Sequence, residues 1–454
     1  MAKKTSNEMK DRLVADLADL AGSFSITKNG TVQPEEDFRK FQHLLEIFKP
    51  MFWHHNPDRK NKLKVARCNI DEPETEIFPG EGWAKIFERL KKEERASYSE
   101  FLKEVDLVIS KKQETLPLQQ FSFIFPINVN FVKRISNKIG EDDFEIIPYE
   151  TFRSEFRDID DEIKKAGSNQ NPNVLNYLKE QKKICNANFS YFMITTLARQ
   201  YSFAVDDMTT EMNSILALLI FAKRKTQAPH HQLWPIKMST LEQSWMFIFK
   251  EKNYLTAAYP RGKTFSEQDF SVKAFPFSPP AYFENVEAET FDFLDQRLDL
   301  YDKIIRSDIG EIFNKALRSY YEASVANRLD HSVFYYWLTL ESLIKIRRMK
   351  NPEITDILKN VMAGDPYLEL MADTLARIRN GFAHEGVMEV ESPTRDFAKN
   401  FCDSLIDWFL LKFGKQFSNK AELFKIYTFI QEDNESLRTD KKLIDIILNI
   451  RPDD

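Results

Sequence analysis

Towards its C-terminal end the chain reads Asp373-Thr-Leu-Ala-Arg377-Ile-Arg379-Asn380-Gly-Phe-Ala-His384-Glu385-Gly386. An Arg-Asn pair followed after three residues by a His is a minimal set for breaking a phosphodiester without a metal. The guanidinium holds and neutralises the phosphate, and the imidazole moves protons near neutral pH. RNA brings its own nucleophile, the 2'-hydroxyl. His384 either deprotonates it or protonates the leaving 5'-oxygen. Arg379 stabilises the charge of a phosphorane-like transition state through paired N–H donors. Asn380 orients the His or donates to a phosphate oxygen. DNA, lacking the 2'-hydroxyl, is a poor substrate by this route.

The residues around the motif predict a helix over about Pro366 to Ala383, with Met371, Leu375, Ile378 and Phe382 as its apolar stripe. At about 100° per residue, Asp373, Arg377, Asn380 and His384 share one line, while Arg379 shares another with Ala372, Ala376 and Ala383. Arg379 and His384 therefore diverge by roughly 140° on a straight helix. Three arrangements bring them to one phosphate: a last turn loosened at Gly381, a long Arg reaching round, or a second copy of the helix across a two-fold axis. The preceding helix, predicted over Asp330 to Arg348, carries Val333, Trp337, Leu340 and Ile344 on its buried stripe. Glu341 falls at the edge of its packed face, as a fourth member of the catalytic set, and a half-buried carboxylate wants a cation, for which Arg379 is a candidate. The basic cluster of Lys345, Arg347, Arg348 and Lys350 reads as a solvated helix end when taken alone. Beside this motif Lys345, Arg347 and Arg348, with Arg377, are candidates for holding the RNA backbone. Arg followed by His at any of three spacings is expected about once by chance, and Arg224 before His230 and His231 is such a decoy, in what looks like a loop beside Pro229.

The chain has 454 residues, too many for one ordinary domain. A hydrophobic fraction of 43% with 38 Phe and only 12 Gly describes folded cores rather than a tether. Composition shifts divide it into residues 1–117, mixed and mainly helical; 118–285, β-rich; and 286–454, a helical bundle with extra C-terminal helices. The expected fold class is α+β. In the first region Asp37 to Phe48 and Trp83 to Leu107 have helical spacing, separated by a turn-rich stretch from Asn56 to Gly82. Strands are expected at Gln120 to Lys133, Phe144 to Tyr149, Tyr191 to Ala198 and Ser244 to Phe249. Asp206-Asp207 reads as the N-cap of a helix carrying Met208, Met212, Ile215 and Leu219. The prolines of Phe275 to Pro280 mark a boundary. Beyond it come helices over Ala288 to Ser324, bent or split, over Pro393 to Phe413, and two short ones within Ala421 to Ile450.

A formal charge of -6 argues against a globally basic nucleic-acid coat, leaving local patches as the route to RNA. Three cysteines, Cys68, Cys185 and Cys402, lack CxxC spacing, which fits a reducing cytosol and gives no thiolate zinc site. The N-terminus has no run of signal length and the chain no membrane-length apolar stretch, so a cytoplasmic location is expected. His54-His55 and His230-His231 point apart on strands and lack ligand partners, so no metal and no cofactor is expected. Arg261-Gly-Lys263 reads as a solvated basic turn, and Trp53, Trp234 and Trp245 as core or rim aromatics.

From about residue 300 to 415 the chain resembles a HEPN domain, the helical bundle shared by many prokaryotic ribonucleases of toxin, phage-defence and CRISPR systems. Arg379, Asn380 and His384 match that family's Arg-polar-spacer-His signature, and Phe334-Tyr-Tyr-Trp-Leu-Thr-Leu-Glu341-Ser-Leu resembles the second-helix pattern of its ApeA-like subset. The resemblance implies a metal-independent endoribonuclease acting as a homodimer through the HEPN bundle, with the site at the interface. It also implies that the N-terminal mixed α/β region is a sensor or brake, responding to a trigger such as a phage component. Members of the family that only bind RNA or dimerise keep a non-catalytic alternative open.

Overall fold

The computed structural model describes residues 2–26, 32–70, 81–127, 129–131, 133–139, 142–148, 150–151, 190–226, 248–251, 254–257, 284–285, 288–326, 328–345, 349, 351–361, 366–385 and 390–450. They gather into two compact units, one from Met1–Ser122 with Thr195–Asp207, the other from Phe123–Ile194, Met208–Ala257 and Thr264–Asp454. The described residues are mostly helical with a smaller share of sheet, compatible with α+β.

Five helices build the first unit: α1 (Ala2–Ala21), α2 (Glu35–His55), α3 (Pro57–Ala66), α4 (Glu81–Lys92) and α5 (Tyr98–Thr115). A two-residue antiparallel ribbon, β1 (Ser25–Ile26) with β2 (Val32–Gln33), falls between α1 and α2. On α2, Phe38, Phe41, Leu45, Phe48 and Phe52 repeat at three- and four-residue spacing, so one stripe turns inward. The Phe48 ring meets Trp83, Phe87 and Phe101 edge-on at 6.5, 5.8 and 5.2 Å, the arrangement that ring quadrupoles favour.

The stretch from Trp83 to Leu107 is two helices rather than one. Glu94, at φ 52°, turns the chain, and the Ser97 hydroxyl accepts from the Glu100 N–H to start α5. The segment expected to be all turns, from Asn56 to Gly82, opens with α3. Pro57 stands at its first turn, where a missing N–H costs nothing. The rest of that segment, apart from residues 67–70, 81 and 82, lies outside the described residues.

Arg67 ends α3 in the left-handed region at φ 52°, and its Nη2 donates to Thr196 Oγ1 and Asp207 Oδ2, each at 2.7 Å. Those bonds correct one expectation. Asp206-Asp207 is not an N-cap, because α6 (Tyr201–Thr226) starts five residues earlier. The Asp207 carboxylate serves an arginine distant in sequence instead of its own helix end.

The main sheet runs β5-β6-β7-β3-β8-β9. Its strands are β3 (Gln119–Ile127), β5 (Ile135–Ile139), β6 (Asp142–Pro148), β7 (Ser190–Ala198), β8 (Ile248–Glu251) and β9 (Tyr254–Ala257), while β4 (Val129–Asn130) pairs in parallel with β10 (Glu284–Asn285). The β5–β6 hairpin sets Ile135 opposite Ile146, and β3 meets β8 with Phe123 opposite Phe249. On β6, Phe144 and Ile146 alternate inward, and Phe144 rests against Phe192 with centroids 4.7 Å apart. Each of the four expected strand regions holds a strand, although Ser244 to Phe247, like the boundary at Phe275 to Pro280, lies outside the described residues.

The helices that follow are α7 (Ala288–Ile305), α8 (Gly310–Val325), α9 (Leu329–Ile344), α10 (Asn351–Val361), α11 (Pro366–Glu385), α12 (Ser392–Lys412), α13 (Lys420–Phe429) and α14 (Asn434–Ile450). The split between α7 and α8 falls at Gly310, where a Cβ would lie 2.3 Å from the Ile305 carbonyl oxygen, so only glycine lets the chain reverse so tightly. Helix α10 has no counterpart in the expected list. Its stripe of Ile354, Ile357 and Leu358, all buried, is short and follows Pro352. Helix α9 is the centre of the bundle, packed by α8, α10, α11 and α12. Val333, Trp337, Leu340 and Ile344, its expected stripe, are all fully buried.

One polar cluster crosses this core. Tyr320 on α8 donates to Asp403 Oδ1 at 2.5 Å, and Lys399, one turn before Asp403 on α12, donates to Tyr320 Oη at 2.8 Å and Asp403 Oδ2 at 3.1 Å. Lys399 is 8% exposed and Asp403 3%. Burial, then the adjacent Asp403 charge, pushes the Tyr320 phenol well above its usual range, so it stays a neutral donor. Removing one charge strands the other in the interior. Asp403→Ala is expected to lower stability by about 3–5 kcal/mol, and Lys399→Met with Asp403→Leu to recover most of that loss. Urea unfolding followed by circular dichroism checks both, and an unshifted midpoint for Asp403→Ala would contradict the assignment.

Candidate active site

Helix α11 starts at Pro366, at a position that tolerates proline, and buries Ala372, Leu375 and Ile378. It remains helical through Gly381 to Glu385. The turn that could have loosened at that glycine does not. Residues 379 and 384 thus keep the separation of roughly 140° that an α-helix imposes. Asp373, Arg377 and Asn380 line the exposed side, as their shared line predicted, and Asp373 pairs with Lys359 of α10 at 2.7 Å. The backbone of His384 is in the last turn, and its side chain lies outside the described residues.

Arg379 sits between the two faces, half-buried. Its Nη1 donates to Asn380 Oδ1 at 3.4 Å, a long bond, and its Nε is buried without an acceptor. Among the described residues no carboxylate pairs with it. That sets it apart from Arg297, Arg328 and Arg395 in the same unit, which pair with Asp407, Asp330 and Asp396. A guanidinium with spare donors, partly dried by its surroundings, is prepared for an incoming anion.

Glu341 is 8% exposed, as its place at the packed edge suggested, but its cation is not Arg379. Oε1 accepts from Lys345 Nζ at 2.7 Å and Oε2 from Trp337 Nε1 at 3.1 Å. The reason is register. His331 and Phe334, near the start of α9, both meet Phe382, near the end of α11, at 5.4 and 4.6 Å between ring centroids. Glu341 lies seven residues beyond Phe334, about 10 Å further along α9 at 1.5 Å per residue, and so away from that contact. Lys345, one turn on along α9, is closer and holds the favourable order of Glu before Lys.

Of the expected RNA-holding residues, Lys345 and Arg377 are exposed. Lys345 spends its ammonium on Glu341, whereas Arg377 has no carboxylate partner among the described residues. Arg347, Arg348 and Lys350 lie outside them, as do His230, His231, Trp234, Trp245 and the turn at 261–263. Arg224 lies within α6, not in a loop. His54 and His55 close helix α2 instead of lying on a strand, with rings 5.2 Å apart. Among the described residues no three His, Cys, Asp or Glu side chains gather as a metal ion would need.

Sequence reasoning did not single out His331. No periodicity says which neighbouring helix a ring at the first turn of α9 will meet. No protein-family model, curated protein or solved structure matches the chain.

Glu341 supports the bundle through Trp337, whose buried indole N–H has no other acceptor among the described residues. Glu341→Ala is expected to lower stability by about 1–3 kcal/mol, and Lys345→Ala, which removes a partly exposed partner, by less than about 1 kcal/mol. Thermal melts of the two variants decide the order. Equal losses would place the weight on the ion pair, not on the indole.

Proposed function

We propose that the chain is a metal-independent endoribonuclease that cleaves RNA by attack of the 2'-hydroxyl on the adjacent phosphate. The observation that carries this reading is Arg379: a half-buried guanidinium with no carboxylate among the described residues and a buried Nε lacking an acceptor, next to Asn380 and on the helix that carries His384. A phosphate oxygen supplies what that group lacks, in the water-poor setting where charge-assisted bonds are strongest. The match of the three residues to the HEPN signature supports the same chemistry.

In this reaction Arg379 binds the scissile phosphate and takes up the charge that grows on its equatorial oxygens. Asn380 donates to the phosphate or holds the imidazole. His384 exchanges a proton with the 2'- or 5'-oxygen. Because an intact helix separates residues 379 and 384, the imidazole comes from a second copy of α11 related by a two-fold axis, which makes the active form a homodimer through the bundle. Arg377, exposed and without an acidic partner among the described residues, steers the backbone of the RNA, and Lys345 with Arg347 and Arg348 extends that path. Glu341 acts through packing rather than by touching the substrate. An unrestrained RNase harms its own cell, so the long N-terminal portion is read as a sensor or brake in a trigger-dependent antiviral effector, acting in the cytoplasm. Among the described residues no helix is long and apolar enough to cross a membrane.

The same intact helix favours a second reading, a non-catalytic RNA-binding or dimerisation module in which Arg379 grips a phosphate and His384 takes no part. One experiment separates the two. The purified protein, incubated with tRNA or mRNA in EDTA, is expected to release fragments ending in 2',3'-cyclic phosphate. Arg379→Ala and His384→Ala are each expected to lower the rate by at least about 10²-fold. Retention of RNA without fragments, unaffected by His384→Ala, would establish the module instead.

A further inference from the structure

Transesterification of RNA moves two protons. As the 2'-oxygen bonds to phosphorus, its proton passes to a base. As the P–O5' bond breaks, the departing 5'-oxygen takes a proton from an acid, leaving a 2',3'-cyclic phosphate and a free 5'-hydroxyl. Two imidazoles, one starting neutral and one protonated, perform both transfers without exchange with solvent. His384 is one such group.

The geometry points to His331 as the other, the acid that protonates the leaving 5'-oxygen, an assignment that rests on the endoribonuclease reading. Its ring lies 5.4 Å from that of Phe382 and nearly perpendicular to it, at 87°. Phe382 follows Arg379 by three residues on α11, so the two side chains stand about 60° apart around the helix and about one turn apart along it. His331 therefore belongs to the side of α11 on which Arg379 lies, whereas position 384 falls on a line roughly 140° away around that helix. Phe334 stacks on the other side of the contact, 4.6 Å from Phe382 and tilted by 27°, and fixes the ring against which His331 rests.

The ring is also chemically available. His331 is half-buried, and among the described residues neither of its ring nitrogens has a hydrogen-bond partner. Next to it Asp330 is 6% exposed and accepts the His331 backbone N–H at 2.9 Å. The Arg328 guanidinium holds the Asp330 carboxyl below its usual range, so it is ionised at neutral pH. The hydroxyls, phenols and thiols deeper in the bundle are closed off from substrate. Tyr320, Tyr336 and Cys402 are each at most 2% exposed.

The test uses the full chain in EDTA with two oligonucleotides, each holding one ribose linkage. In one the leaving atom is the ordinary 5'-oxygen. In the other it is sulfur, whose thiolate departs without a proton. His331→Gln is expected to cut the ordinary linkage about 10²–10⁴-fold more slowly than wild type, yet to cut the thio linkage within about 10-fold of it. His331→Phe, which keeps a ring against Phe382 but carries no proton, is expected to show the same pattern and controls for packing, with melts confirming that both variants fold. His384→Gln, removing the base, is expected to be slow on both substrates. Wild-type rates for His331→Gln on the ordinary linkage, or equal losses on the two linkages, would overturn the assignment while leaving the nuclease in place. A wild-type protein that cuts neither linkage would remove the nuclease reading itself.

Discussion

A residue and the one five places on point about 140° apart on an α-helix, and no choice of rotamer removes that angle. Helix α11 stays helical from Pro366 to Glu385, through the one glycine that could have broken it. Positions 379 and 384 are therefore neighbours in sequence that fall on different lines of the helix. In the proposed reaction, the groups that α11 cannot bring together itself come from what it faces: on one side helix α9, on the other whatever meets the exposed line of Asp373, Arg377 and Asn380. The site is defined by what the helix packs against more than by the motif it carries.

Helix α9 can serve as that frame because it is apolar on nearly every side and enclosed by four helices. Its first turns give His331 and Phe334 to the end of α11. Its later turns place Glu341 between the Trp337 indole and the Lys345 ammonium. On its far side the Tyr320, Lys399 and Asp403 cluster joins α8 to α12, and the Cys402 thiol donates to the Tyr336 carbonyl at 3.3 Å. Buried charges of this kind contribute little net stability but are costly to separate, so they hold helices in one register. The proposed reaction, in which a group must meet a phosphate within a fraction of an ångström, calls for a frame of that stiffness.

The first unit uses different means. Its core is a set of aromatic rings on α2, α4 and α5, and its polar contacts tie residues far apart in sequence. Arg67 reaches Thr196 and Asp207, Lys112 donates to the Asn69 carbonyl at 2.7 Å, and Arg199 donates through Nε to the Ala66 carbonyl at 3.0 Å. Arg67 adopts a left-handed conformation that a non-glycine residue rarely holds, and its side-chain bonds offset that cost. These contacts converge on the end of α3 and pin it to the strand and helix around residues 196–207.

Much of this was legible in the residues alone. Apolar spacing located α2, α9, α11, α12 and four of the strand regions, since a 3.6-residue or two-residue repeat is a local property that burial only reinforces. The separate lines of Arg379 and Asn380 on α11, and the inward lean of Glu341, followed from the same arithmetic. The stretch from Asn56 reads as turns because nothing local distinguishes a proline in a turn from one, such as Pro57, that opens a helix. Asp207 was read as a cap, and Arg379 as the cation for Glu341, because both assignments turn on which distant or neighbouring charge arrives first. By itself the sequence determined four strand regions, most of the longer helices and the apolar face of each, while α1, α3, α10, β5 and β9 were not among the expected elements. Only the tertiary structure decided the partners: Lys345 for Glu341, Arg67 for Asp207, no acid among the described residues for Arg379, and His331 against Phe382. The pattern along a chain sets the direction of a side chain relative to its own axis, whereas its partner depends on the register between elements, which is settled when they pack.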